Sequence, residues 1–149
     1  MDFYTQYKED NLKLERRYPL YRCPAANADL VSILTRLSIA DNIKKSILAI
    51  DSAMRLGRKV DNHNKAHTIL ATDLLSAQFY HYNAEHFDQT TFRKLTECVK
   101  RYNLLMSAYD TSQDDALIPE IEAVFVLPFV SIDDPTVQQL INHSELYTK

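Results

Sequence analysis

At 149 residues the chain is long enough to bury roughly 68 to 70% of the surface its unfolded form exposes. Its single glycine, Gly57, excludes the phosphate loop, the dinucleotide turn and the nucleophile elbow, each of which needs several residues without a Cβ. A formal net charge of -3, with no Lys/Arg block longer than local pairs such as Arg16-Arg17, Lys44-Lys45 and Lys100-Arg101, removes the electrostatic footprint of a nucleic-acid binder.

The apolar positions recur at helical spacing, and Leu and Ala are prominent among them. The expectation is therefore an all-α fold, a compact multi-helix bundle of six or seven helices forming a single helical domain over 1–149. Pro19 and Pro24 bracket a connector after an amino-terminal helix. Asn27 can cap a helix carrying Leu30, Ile33, Leu34 and Leu37 on one side. The next helix, Asp41 to Leu56, has Asp41 as its expected cap, an apolar stripe of Ile43, Ile47, Ile50 and Met54, and Gly57 as a left-handed stop. Asn64 to Tyr82 is apolar around much of its circumference, which predicts a central helix buried between neighbours. From Phe92 the series Phe92, Leu95, Val99, Tyr102, Met106, Tyr109 predicts a narrow seam, with Arg93, Lys94, Glu97, Lys100 and Arg101 opposite. Ser112-Gln113-Asp114-Asp115 reads as a capping arrangement before Leu117, Ile118, Ile121 and Phe125. Asp134-Pro135 supplies a cap and a first-turn proline before Val137, Leu140 and Ile141, and Thr148 and Lys149 are expected to fray.

Few residues offer chemistry. Cys23 and Cys98 read as free thiols of a cytoplasmic protein, and Met1-Asp2-Phe3-Tyr4 is no signal peptide. The longest wholly apolar run, Ala123 to Val130, is interrupted by Pro128 and falls far short of the ~20 residues that span a bilayer, so no stable membrane insertion is expected. His63 and His67 are four apart and could face one metal, but Asn64 stands where a zinc-protease motif needs Glu, no third ligand suggests itself, and ordinary exposed histidines explain them. His81 and His86 flank a helix end and read as local hydrogen-bonding groups. Ser46, Ser52, Ser76 and Ser107 have no His-acid pairing that would make a nucleophile. Tyr80, Tyr82, Tyr102 and Tyr109, with Phe79 and Phe92, suit an aromatic interface, a tunnel lining or plain core equally well.

The stretch Ile69 to Tyr82 reads Ile-Leu-Ala-Thr-Asp-Leu-Leu-Ser-Ala-Gln-Phe-Tyr-His-Tyr. It resembles a core helix of the trans-isoprenyl diphosphate synthases, roughly Ala-x-Leu-x-Gly-Asp-x-Leu-Leu-x-x-Ala-Phe. Ile69, Leu70, Thr72, Asp73, Leu74, Leu75, Ala77 and Phe79 fall into that frame, with Thr72 in place of the usual Gly. A closer resemblance is to the small subunit of two-subunit hexaprenyl and heptaprenyl diphosphate synthases. It extends to Arg17-Tyr18-Pro19, Ala49-Ile50-Asp51-Ser52-Ala53-Met54-Arg55 and Leu127-Pro128-Phe129, and so spans most of the chain.

The resemblance implies a truncated isoprenyl synthase fold without the family's chemistry. In active members two Asp-Asp-x-x-Asp motifs hold Mg²⁺ against an allylic diphosphate, because carboxylates at i and i+4 share a helix face. Here Asp114-Asp115 would need an acid where Ile118 stands, and Asp133-Asp134 one where Val137 stands. Leu56 to Lys65, which follows the helix that precedes the first motif in active members, offers only Asp61. The expectation is no catalytic residue, no metal ligand and no cofactor on this chain, with Mg²⁺ on a larger catalytic partner that carries both motifs. The product class implied is the menaquinone side chain. In the family's homodimers the corresponding helix and the one after it form the subunit interface, which maps onto Leu74, Gln78, Phe79, Tyr82, Phe92, Leu95, Val99 and Tyr102. Ala49, Ala53, Met54, Leu75 and Phe79 are candidates for contact with the growing prenyl chain, that is, for a chain-length wall, with plain core as the competing account. Two other functions stay open: a purely structural helical adaptor of an enzyme complex, and a stand-alone isoprenoid-binding protein.

Overall fold

The computed structural model describes residues 2–148, which form seven α-helices and two short 3-10 segments with no strand among the described residues. The all-α expectation holds. Contacts gather the chain into two compact units, one of the residues up to Asn27 with Ser38–Phe87, the other of Ala28–Leu37 with the chain from Asp88 onward.

The first unit contains α1 (Phe3–Arg17), α3 (Asp41–Gly57) and α4 (Lys65–Glu85). Asp2 caps α1 by accepting from the Thr5 amide at 2.7 Å, and the helix buries Phe3, Tyr7 and Asn11, one residue per turn. α3 is the central element: Asn42 through Ala53 are all buried. Its polar members are matched rather than solvated. The ammonium of Lys44 lies over the Phe3 ring and that of Lys45 over Tyr82, while Asp51 accepts from Arg55 Nε at 2.8 Å. α4 runs antiparallel to α3, since Asn42 Nδ2 near the start of one donates to the Tyr82 carbonyl near the end of the other at 3.0 Å.

Three details of this unit depart from expectation. α4 is not wrapped on all sides; it buries one stripe, Thr68, Ala71, Leu75, Gln78, Phe79, Tyr82 and Asn83, and leaves Ile69 and Tyr80 exposed. Apolar content marked the right helix but could not distinguish a face covered by this chain from one left uncovered. Asp41 is the first helical residue rather than the cap, which falls to Ala40 with no side-chain bond; the carboxylate instead sits in the first turn, where the helix dipole favours it. Gly57 ends α3 without a positive φ, because the amide of Arg58 continues the turn onto the Arg55 and Leu56 carbonyls.

The second unit contains α2 (Ala28–Arg36), α5 (Gln89–Ser112), α6 (Ile118–Ala123) and α7 (Pro135–Asn142). α2 begins directly after Asn27 and buries Leu30, Ile33 and Leu34; it packs against α7, which buries Val137, Leu140 and Ile141. An ion pair of Arg36 with Asp134 at 2.8 Å and a contact of His143 Nδ1 with the Asp29 carboxylate at 2.8 Å tie these elements. α5 buries Leu95, Cys98, Tyr102, Leu105 and Tyr109, so the seam is rotated from the one expected, with Phe92, Val99 and Met106 only half-buried. Ser112 closes α5 instead of opening the next helix. Gln113 takes the left-handed conformation (φ 54°) and Asp114 caps the following 3-10 turn, Asp115–Leu117. Asp134 and Pro135 open α7 as expected, with the carboxylate accepting from the amides of Thr136 and Val137. The last segment is Glu145–Thr148, and the fraying expected at Lys149 lies outside the described residues.

Candidate functional site

The family's chemistry would require a carboxylate cluster, and one carboxylate of each acidic pair, Asp114 and Asp134, caps the segment that follows it. Asp114 accepts from the Ala116 amide at 2.9 Å and Asp134 from the Thr136 amide at 2.9 Å, both as caps. Asp134 is also held by the Arg36 guanidinium, which with the cap amides keeps its carboxyl below the usual range. At the i+4 positions from Asp114 and i+3 from Asp134 stand Ile118 and Val137, both fully buried core residues. Asp61 accepts from the amides of His63 and Asn64 in the loop before α4. No three His, Cys, Asp or Glu side chains among the described residues are grouped as a metal site would require. These residues do not fit a Mg²⁺–diphosphate site.

Burial pushes the Cys98 thiol up to about 11, reinforced by the Glu97 carboxylate, and burial also raises that of Cys23.

Of the eight interface candidates, Gln78, Phe79, Tyr82, Leu95 and Tyr102 are buried within the chain, while Leu74, Phe92 and Val99 are half-buried. Of the five wall candidates, Ala49, Ala53, Leu75 and Phe79 are buried and Met54 is half-buried. They lie on α3 and α4, the two most extensively packed helices of the first unit.

Two surface grooves stand out. One, of about 520 Å³, lies between α1 and α4 and is lined by Asp10, Lys13, Leu14 and Arg17 on the first helix and by Leu74, Ala77, Gln78 and His81 among others on the second. Beneath it runs a polar network. Asn11 Oδ1 accepts from Gln78 Nε2 at 2.9 Å and from the Tyr21 hydroxyl at 2.7 Å, and the Tyr82 hydroxyl donates to Asp10 at 2.6 Å. Burial, with the neighbouring Asp10 carboxylate adding to it, raises the Tyr82 phenol far above its ordinary value. The other groove, of about 640 Å³, lies along α5 and α6, with Arg93, Lys94 and Arg101 beside Val124, Leu127 and Pro128. Its Arg101 is already engaged by Glu120, at 2.6 and 2.8 Å.

The α1 contribution was missed by sequence reasoning. Asp10, Lys13, Leu14 and Arg17 recur at i, i+3, i+4 and i+7, the spacing of one helix face, but a mixed-charge face of a polar helix gives no hydrophobic signal.

The comparisons agree with this architecture. The profile described as HexPS-like, hexaprenyl diphosphate synthase small subunit, matches residues 1–130. Among solved structures, a heptaprenyl diphosphate synthase from Staphylococcus aureus has a similar fold, with a TM-score of 0.73 at 24% sequence identity over 94% of this chain and 81% of that one. The chain belongs to the family of hexaprenyl diphosphate synthase small subunits.

Proposed function

We propose that this protein is the non-catalytic regulatory subunit of a hetero-oligomeric hexaprenyl or heptaprenyl diphosphate synthase, acting in the cytoplasm in menaquinone side-chain synthesis. In this reading a larger partner supplies both aspartate-rich motifs, the Mg²⁺ and the two substrate sites, and this chain enables and limits long-chain elongation. The observation that carries the reading is the pairing of a family match over residues 1–130 with two acidic pairs that each lack the third acid, Ile118 and Val137 standing in its place, and that each give one carboxylate to a cap. A subunit with neither aspartate-rich motif complete cannot offset the charge of an ionising diphosphate, so its contribution is made through the partner.

Length control has a physical requirement that such a subunit can meet. Each added CH₂ gains roughly 0.8 kcal/mol on full burial, so attraction alone favours unlimited growth and termination needs a steric wall. The densely packed α3–α4 pair, with Ala49, Ala53 and Leu75 in its interior, supports a role as that wall because a close-packed helix pair yields little to a growing chain. The test is reconstitution. The purified chain, a catalytic large subunit, Mg²⁺, isopentenyl diphosphate and an allylic primer are combined singly and together, and product length is measured. Long-chain product only in the complete mixture is the expected result; sustained Mg²⁺-dependent turnover by this chain alone would refute it.

A further inference from the structure

The groove between α1 and α4 has an orientation that the hydrogen bonds define. Lys45 Nζ reaches both Gln6 (3.1 Å) and Glu85 (3.6 Å), Tyr82 reaches Asp10, and Gln78 reaches Asn11. Residues 6, 10 and 11 of α1 therefore stand opposite 85, 82 and 78 of α4, and the two helices run antiparallel. The ends of the groove consequently differ in charge. At one end Asp10 and Glu85 are both occupied, by the Tyr82 hydroxyl and by Lys45. At the other, Lys13 and Arg17 meet no carboxylate among the described residues, and the apolar surface of Leu14, Leu74 and Ala77 lies between them. Arg17 lies 5.6 Å from the Tyr18 ring centroid, which leaves its guanidinium edge available to a carboxylate. The floor of the groove holds Gln78, buried, with Oε1 lacking any hydrogen-bond partner among the described residues. That orphan acceptor is stabilised only when a donor reaches it.

The lining from Leu74 to Glu85 extends about 16 Å at 1.5 Å per residue, roughly three helical turns. An apolar patch of Leu14, Leu74 and Ala77 beside an unpaired basic end, within a groove of that length, suits the i, i+3, i+4, i+7 anchors of a docked helix better than a compact ligand. We propose that this groove is the docking site for an amphipathic helix of the large catalytic subunit, acidic and apolar where it meets Lys13, Arg17 and the Leu14–Leu74–Ala77 patch, and carrying a hydrogen-bond donor for Gln78. The inference rests on the heteromeric reading above and adds α1 to the surface that the partner grips.

The experiment is calorimetric titration of the full chain with the catalytic subunit, comparing the wild type with Ala77→Trp, with Lys13→Glu/Arg17→Glu, and with Arg16→Glu as a charge control outside the lining. Ala77, Lys13 and Arg17 are exposed, so these variants keep the fold, which circular dichroism checks. At least tenfold weaker binding is expected for Ala77→Trp and for the double variant, the wild-type affinity falling as salt is raised, with a much smaller effect of Arg16→Glu. Wild-type binding left unaltered by Ala77→Trp and the double variant overturns the groove assignment alone, as does an equal loss from Arg16→Glu. No binding by the wild type overturns the heteromeric reading and the groove with it. Self-association of the chain alone that Ala77→Trp abolishes assigns the groove to a second copy and also overturns the proposal.

Discussion

Ala53→Phe is the sharpest probe of whether the α3–α4 pair limits product length. Ala53 is 1% exposed on a helix whose residues from Asn42 to Ala53 are all buried, so an added phenyl ring has no free volume to enter. Overpacking of this kind costs about 1–3 kcal/mol, because neighbouring helices shift only partly to relieve it. For a chain of 149 residues, at about 2–4 °C per kcal/mol, the melting temperature should fall by about 2–12 °C. If the ring also projects on the wall, the reconstituted complex should release shorter prenyl products while total turnover is retained. Thermal melting of the isolated subunit and chromatography of the products of the complex separate the two effects. A lowered melting temperature with an unaltered length distribution from an intact complex removes Ala53 from the wall. A melting temperature unchanged within about a degree would refute the packing argument itself.

Val99 is half-buried on α5, so Val99→Glu should leave the subunit folded yet weaken its association with the catalytic partner by several kcal/mol if that face is covered in the complex; unchanged association in a sedimentation assay would show that the face stays exposed. Burial is the largest cause raising the phenols of Tyr7, Tyr21 and Tyr82. An unfolded chain loses these protons near the ordinary value of about 10, so their contribution to stability is complete below that pH and is lost as pH rises above it. Ultraviolet titration should therefore show Tyr7, Tyr21 and Tyr82 ionising only with alkaline unfolding, and simple titration of all nine tyrosines would refute the assignment. Cys98, with its thiol pushed up to about 11, should be alkylated at neutral pH far more slowly in the folded than in the denatured chain, as mass spectrometry of the labelled protein would read. Asp134, held below the usual carboxylate range by Arg36, stabilises the fold above the ordinary carboxylate value and loses that effect as pH falls through its own lower one. Arg36→Ala should flatten this acid limb of a stability profile, and an unchanged limb would show that the pair contributes nothing.

The helical class and most element positions were legible in the sequence because they follow from local chemistry. One glycine, regular apolar spacing, Asp134-Pro135 at the start of α7 and Asn27 ahead of α2 act within a turn or two of chain. The same is true of the missing acids: Ile118 and Val137 break the i, i+4 carboxylate geometry wherever the helices end up. What only the tertiary structure decided is which faces are covered. α3, carrying Lys44, Lys45, Ser46 and Asp51, became the buried centre because partners from α1 and α4 and from its own next turn satisfy those groups, while the more apolar α4 leaves Ile69 and Tyr80 exposed. The α1–α4 groove depends on Gln78 meeting Asn11 across 67 residues of sequence, and no periodicity encodes that meeting. A residue's chemistry sets its own helix, but the cost of burying it depends on neighbours that only the folded chain brings near.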